Sequence, residues 1–253
     1  MNNEVLALAK MIDHSLLHPT MTDEDLKEGC RVAKAYHTAS VCIKPYAIKL
    51  AVEELRGSDV LVGTVIGFPH GNSAVSIKVA ETIQACKDGA VEIDMVVNGG
   101  KVLSGDWEYV ENEIKEVVEA THANKAILKV IFENDFITKE EDKIKLCEIC
   151  SALGVDFVKT STGYGFVKGS DGKYTYQGAT HEDLKLMRAH SDEKVQVKAA
   201  GGVRTLDDLI AVRNLGVTRV GATATVAMIE EAIKRYGGES LGQSNNMNSP
   251  SGY

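Results

Sequence analysis

Apolar and polar residues follow two rhythms along this chain. Short runs rich in Val, Ile and Ala recur between longer stretches in which apolar residues return every three or four positions. The short runs predict strands at Met11–Ser15, Ser40–Lys44, Val60–Ile66, Val91–Val97, Ala126–Phe132, Phe157–Thr162, Gln196–Ala200 and Arg219–Thr223, eight in all. The longer stretches predict helices. Over Ser73–Asp88, Val75, Val79, Ile83 and Cys86 fall at helical spacing and mark one buried face. Other helices open on caps: Thr22 precedes Asp23-Glu24-Asp25 and Thr205 precedes Leu206-Asp207-Asp208, each setting acids at a positive helix start. Repeated strand–helix units build a parallel sheet. The unit count, and the lack of a strand-following Gly-x-Gly-x-x-Gly, favour an α/β (β/α)8 TIM barrel over an open doubly wound sheet. No interdomain linker is visible, so residues 1–236 read as a single barrel domain. Two stretches break the rhythm. Tyr164–Gly178 is a long polar loop with Gly-Ser-Asp-Gly at its middle, and residues 237–253 form a tail rich in Gly, Ser and Asn, read as flexible, that ends in Tyr253.

Charge and composition narrow the class. With a net charge of −8 the 253-residue chain lacks the basic field that drives nucleic-acid binding, so no nucleic-acid partner is expected. No apolar run reaches membrane-spanning length, and Met1-Asn2-Asn3-Glu4-Val5 does not open a secretion signal, so a cytoplasmic location and no membrane partner are expected. Five cysteines, Cys30, Cys42, Cys86, Cys147 and Cys150, read as reduced thiols in such a chain. Cys147-x-x-Cys150 lies on an apolar helical stretch and reads as two buried thiols; the seven histidines show no metal-ligand spacing, and no metal is expected.

Candidate chemistry sits where charge interrupts an apolar strand. Lysine is almost never fully buried without a partner, yet Lys159 lies inside Phe157-Val158-Lys159-Thr160-Ser161-Thr162-Gly163. Similar interruptions are Glu92-Ile93-Asp94, Leu128-Lys129-Val130 and Val197-Lys198-Ala199, and Val-Lys-x-x-x-Gly occurs twice, at Val158–Gly163 and Val197–Gly202. Barrel enzymes draw catalytic groups from the ends of several strands. If the polar faces point inward, a lysine beside another cation in a desolvated site loses its proton readily, and its neutral amine attacks carbonyls. Asp94 is placed to move protons; barrel-interior ion pairing without catalysis is the competing reading. Beyond these strands, Gly201-Gly202 and Gly221-Ala222-Thr223, with a helix starting near Thr225, occupy the usual place of a barrel phosphate site.

Over nearly the whole chain these motifs, together with Ile12-Asp13-His14-Ser15-Leu16-Leu17, Val41-Cys42-Ile43, Gly67-Phe68-Pro69 and Lys198-Ala199-Ala200-Gly201-Gly202-Val203-Arg204, resemble the deoxyribose-phosphate aldolase family, class I aldolases on a (β/α)8 barrel. The resemblance implies reversible cleavage of 2-deoxy-D-ribose 5-phosphate to D-glyceraldehyde 3-phosphate and acetaldehyde, so the partners are a phosphosugar and an aldehyde, with no metal or other cofactor. It makes Lys159 the Schiff-base lysine, Lys198 the neighbour that lowers its pKa and Asp94 the proton-transfer carboxylate. Asp13, Cys42, Lys129, Thr162 and Gly163 match site-lining positions, with Asp13 and Thr162 assigned to substrate hydroxyls and Gly201, Gly202, Gly221 and Thr223 to the phosphate. Some members end in a tyrosine that assists proton transfer at the enamine carbon, which gives Tyr253 a catalytic expectation. Members are often dimers or tetramers; homo-oligomerisation stays open here, because no exposed apolar stripe is readable. Two features depart from the family pattern. Gly221-Ala222-Thr223-Ala224 carries one hydroxyl where the family offers serines, which puts phosphate affinity in question. The Tyr164–Gly178 loop is long and carries Lys168 and Lys173; it reads either as a solvated insertion or as a cover that supplies charge to the phosphate. Another lysine-dependent barrel aldolase, or a noncatalytic sugar-phosphate-binding barrel, remains as the alternative.

Overall fold

The computed structural model describes residues 1–237, so the tail beyond, with Tyr253, lies outside the described residues. The strands are β1 (Ile12–Leu16), β2 (Ser40–Ile43), β3 (Leu61–Ile66), β4 (Glu92–Val96), β5 (Ile127–Ile131), β6 (Phe157–Lys159), β7 (Val167–Lys168), β8 (Tyr174–Thr175), β9 (Gln196–Ala200) and β10 (Arg219–Ala222). All but β7 and β8 close into one parallel barrel, β1-β2-β3-β4-β5-β6-β9-β10 and back to β1. All eight predicted strands are therefore present and the predicted barrel is the fold. The surrounding helices are α1 (Asn3–Ala9), α2 (Asp23–Ala35), α3 (Ile48–Glu54), α4 (Val75–Asp88), α5 (Gly99–Leu103), α6 (Trp107–Ala123), α7 (Glu140–Ala152), α8 (His181–His190), α9 (Leu206–Asn214) and α10 (Thr225–Tyr236).

Local chemistry sets the helix starts. Thr22 and Thr205 each close a capping box, with Asp25 and Asp208 returning bonds to the cap backbone. The α1 helix, which periodicity does not announce, is tied at its start to the end of α10. The Asn2 side chain accepts from Val5 N and donates to the carbonyls of Tyr236 and Gly237 at 2.7 and 2.9 Å. Val5, Leu8 and Ala9 are buried beneath it, and a fully buried Leu8 contributes about 1.5–3 kcal/mol.

Side chains alternate across the barrel wall. On β4 and β5, Ile93, Met95, Leu128 and Val130 join the apolar shell between strands and helices. The opposite faces carry Glu92, Asp94 and Lys129 into the interior, where all three are buried.

Three expectations are corrected. The buried face of α4 is centred on Lys78, Thr82 and Ala85; Val79 and Cys86 pack against the core at its edge, and Val75 and Ile83 are only partly buried. The core-facing position is taken by a lysine whose three donors go to Gly71 O (2.6 Å), Val96 O (2.6 Å) and Glu113 Oε1 (2.7 Å), so hydrophobicity misplaces the face. The sixth barrel strand stops at Lys159, short of Thr162. At Thr160 the backbone still donates to Lys198 O at 3.2 Å, and the side chain extends the link to β9: its Oγ1 accepts from Ala200 N at 3.0 Å and donates to Ala200 O at 3.1 Å. The Tyr164–Gly178 stretch is not a plain loop. It folds as the antiparallel β7–β8 hairpin, with Lys168 opposite Tyr174 and the turn closed by Gly169 N donating to Lys173 O at 2.7 Å.

Candidate active site

Strand register brings the interior charges together. Asp94 on β4 is level with Lys129 on β5, and Lys159 on β6 with Lys198 on β9. All four side chains converge, with Asp94 as the hub. Its Oδ2 accepts from Lys159 Nζ and Lys198 Nζ, each at 2.7 Å, and its Oδ1 from Lys129 Nζ at 3.0 Å. Deeper in the barrel, Asp13 Oδ2 lies 2.5 Å from Lys198 Nζ and 3.2 Å from Lys129 Nζ, and Asp13 Oδ1 accepts from Ser40 Oγ at 2.6 Å. Arg219, at the start of β10, closes the lower end by donating to Asp13 Oδ1 (2.5 Å) and Glu92 Oε2 (2.9 Å), and Glu92 also accepts from Lys129 at 2.6 Å.

The count of charges singles out one lysine. Three carboxyl groups, Asp13, Glu92 and Asp94, face four bases, Lys129, Lys159, Lys198 and Arg219. An uncompensated buried charge is costly, so the cluster balances when one base is neutral. Burial disfavours every ammonium here. For Lys129 the attraction of Asp13, Asp94 and Glu92 outweighs burial and holds the pKa well above the usual lysine range. For Lys198, Asp13 and Asp94 outweigh burial and raise the pKa. For Lys159 burial, helped by the Lys198 ammonium, outweighs Asp94 and the smaller pull of Cys42 and lowers its pKa. Burial alone would raise Asp94, but its three lysines hold it far below the carboxylate range, and Asp13 behaves alike under Lys129, Lys198 and Arg219.

Above this network opens a pocket lined by Lys159, Lys198, Cys42, Thr162, Gly163, Gly201, Gly202, Gly221 and Thr223, all expected from the sequence. Asp94, Lys129 and Asp13 are not part of its lining. Asp13, expected against substrate hydroxyls, sits beneath, where its carboxylate is ion-paired with Lys129, Lys198 and Arg219 and accepts from Ser40 Oγ. Cys42 is buried beside the anion Asp94, which pushes its thiol up to about 11: burial is the larger cause and it stays an uncharged wall. With Leu17, Val65, Phe68 and Tyr164 it forms a small apolar cluster, Phe68 and Tyr164 meeting edge to face at 5.4 Å. One side of the pocket is thus apolar and the other is cationic and glycine-lined, ending at α10, whose first residue follows a cap, Ala224, without a side-chain bond.

Several contributors are absent from the sequence-based set: Arg219 in the network, where it meets Glu92, a charge already read inside strand four, Ser15, Tyr164 and Arg204 in the lining, and Glu133 behind it. Glu133, buried and with a φ of 62°, accepts from Thr162 Oγ1 and from Thr162 N (3.2 Å). Burial raises its pKa to about 7. Lys168 and Lys173 are exposed on the hairpin and line no part of the pocket. Among the described residues no group of three or more His, Cys, Asp or Glu side chains is arranged to hold a metal ion, and no helix is long and apolar enough to cross a membrane.

Comparison with known proteins decides the family. The family model of the DeoC/LacD family aldolases matches residues 7–224. The chain belongs to this aldolase family. Among relatives of these aldolases, deoxyribose-phosphate aldolase of Rhodopirellula baltica is 54% identical over 230 residues, 91% of either chain. That of Caldanaerobacter subterraneus is 46% identical, over 91% of this chain and 96% of the relative. A solved deoxyribose phosphate aldolase from Aeropyrum pernix, described as tetrameric, superposes with a TM-score of 0.77 at 26% identity, covering 92% of this chain and 93% of that one.

Proposed function

We propose that this aldolase reversibly cleaves 2-deoxy-D-ribose 5-phosphate to acetaldehyde and D-glyceraldehyde 3-phosphate through an imine on Lys159. The observation that carries the reading is the position of Lys159: of the three lysines in the barrel network it alone has its pKa lowered, and it lines the pocket. In the cleavage direction the neutral Nζ adds to the C1 aldehyde of the open-chain sugar, and the carbinolamine takes up one proton and loses water to give a protonated imine. The C3 hydroxyl then gives up its proton, the C2–C3 bond breaks, and its electron pair flows into the iminium to form an enamine. Glyceraldehyde 3-phosphate departs; protonation of the enamine carbon and hydrolysis release acetaldehyde and restore Lys159. Asp94 is ionised at rest; with Lys198 at 2.7 Å it forms the polar end, and its carboxylate takes the C3 proton through a water molecule and returns it. Thr162, held by Glu133, faces the substrate hydroxyls. The phosphate lies against Gly201, Gly202, Gly221 and Thr223, where backbone N–H groups and the start of α10 favour an anion. The iminium supplies the electron sink, so the cycle uses no metal or other cofactor.

Borohydride trapping with acetaldehyde, followed by peptide mass measurement, tests the reading: it labels Lys159, and an unlabelled Lys159 rejects the imine. Turnover of the sugar with and without its 5-phosphate tests the substrate. For the tail residue Tyr253, a role in protonating the enamine carbon predicts that deleting it slows turnover more than imine formation; unchanged turnover removes it from the mechanism.

A further inference from the structure

The β7–β8 hairpin brings no charge to the pocket, yet its return arm is wedged behind the glycine loop that follows β9. Tyr176 leaves β8 with its ring 5.6 Å from that of Phe166 on the outgoing arm, and its Oη is buried against Gly201. The contact is so close that a Cβ on Gly201 would fall 1.7 Å from Tyr176 Oη. Two residues on, Gly178 packs backbone to backbone on Gly201, where a Cβ would lie 2.8 Å from the Gly201 carbonyl carbon, and Ala179 N donates to Gly201 O at 3.0 Å. The arm is itself tied down, because the Asp135 carboxylate accepts from Gln177 N at 2.7 Å and Gly178 N at 3.0 Å.

These contacts bear on anion binding through simple geometry. Gly201 and Gly202 both have positive φ, 85° and 89°, and a pair of glycines has the largest backbone freedom to lose on binding. A planar trans peptide directs its C=O and N–H oppositely. Fixing the Gly201 carbonyl on Ala179 therefore fixes the Gly202 N–H, and Tyr176 blocks the space into which the loop could relax. Preorganisation of this kind lowers the ordering cost of binding. It matters more here than in a site rich in hydroxyls, since Thr223 is the one hydroxyl in Gly221-Ala222-Thr223-Ala224.

We propose that Tyr176 is a positioning residue for the substrate phosphate, and that the hairpin arm Tyr176–Ala179 sets 5-phosphate affinity by holding Gly201-Gly202 from behind. This rests on the reading of Gly201-Gly202 as the phosphate loop. The test uses the full-length enzyme and its Tyr176→Ala and Tyr176→Phe variants. Each is measured for KM and kcat on 2-deoxyribose 5-phosphate, for competitive inhibition by inorganic phosphate, and for kcat/KM on unphosphorylated 2-deoxyribose. Tyr176→Ala raises KM for the phosphorylated sugar and the inhibition constant of phosphate together, by about tenfold, with kcat and deoxyribose turnover within about twofold of the parent. Tyr176→Phe, which keeps the ring, stays near the parent. Asp135→Ala, which frees the arm from its other side, shifts the same two constants in the same direction and covers the case in which Tyr176→Ala does not fold. The charge-reversed Lys168→Glu/Lys173→Glu enzyme leaves them unchanged. Unaltered phosphate constants in the foldable arm variants, an equal loss on deoxyribose, or an equal loss in the charge-reversed enzyme overturns the proposal. A parent enzyme that neither prefers the 5-phosphate nor is inhibited by phosphate overturns the phosphate-loop reading itself, and the proposal with it.

Discussion

At the scale of single residues, the reactive state of Lys159 follows from a surplus of one base in a closed set of charges. Three carboxyl groups satisfy Lys129, Lys198 and Arg219, and the position with the fewest acids around it is left to lose its proton. The same reasoning predicts the effect of Lys198→Met. With that cation gone, three acids face three bases, so Lys159 becomes the ammonium the cluster requires. Its pKa rises, and the acid limb of the pH–rate profile for imine formation moves to higher pH by about one unit or more. Rates of borohydride-trapped imine measured across pH check this; an unmoved limb would show that Lys198 does not tune Lys159. Lys159, Lys198 and Asp94 are legible in the sequence because each interrupts an apolar strand. Glu92 is legible in the same way, but Arg219 is not, because it is the first residue of its strand, where a charged side chain ordinarily reaches solvent. Glu133 escapes for a different reason: its role depends on a φ of 62° just past β5, and no spacing pattern marks a non-glycine residue in that conformation.

At the scale of elements, period-two strands are easy to read and the faces of helices are less so. Each barrel strand has apolar residues wherever it meets the helical shell, so its pattern survives a charged interior. The α4 helix fails because Lys78 occupies a core position. Its ammonium joins the turn at Gly71, the end of β4 at Val96 and α6 at Glu113, while Glu113 also accepts from Asn98 N at 2.9 Å. Burial lowers the pKa of Lys78 and raises that of Glu113, so each strains toward neutrality and depends on the other. Lys78→Met therefore strands a buried carboxylate and two carbonyls, at a cost of about 3–5 kcal/mol. The double variant Lys78→Met/Glu113→Met removes both charges and is less destabilised than Lys78→Met alone. Urea unfolding midpoints of the two variants check this order; a double variant no more stable than the single would mean that the pair is net stabilising. The β7–β8 hairpin is illegible for a simpler reason: strands of two residues are too short to set up an alternation.

At the scale of the whole molecule, buried titrating groups of opposite tendency decide how stability depends on pH. His14 on β1, its Nδ1 2.8 Å from Thr225 Oγ1 at the start of α10, is lowered by burial from 6.5 to about 4. Between those values the unfolded chain holds more protons, so the contribution of His14 is complete above 6.5 and is lost as pH falls through about 4. Glu133 runs the other way. Raised by burial from 4.5 to about 7, it contributes fully below 4.5 and loses that contribution as pH rises through about 7. The two windows overlap from about 4.5 to 6.5, where Glu113, also raised from 4.5, acts in the same direction as Glu133 and both oppose His14, so the parent varies with pH less than His14 alone would make it. Below that range the balance ends. Asp13 and Asp94, both held under their ordinary 3.8 by the lysines around them, contribute fully above that value and lose their contribution as pH falls below it, so unfolding on the acid side is steep. Removing either compensating group exposes the slope of the other. Thermal midpoints of Glu133→Gln therefore rise with pH between 4.5 and 6.5, through His14, whereas those of His14→Asn fall over the same interval, through Glu133. Each slope amounts to at most about 1.4 kcal/mol per pH unit. Slopes of the same sign in the two variants would mean that a group other than this pair governs this range.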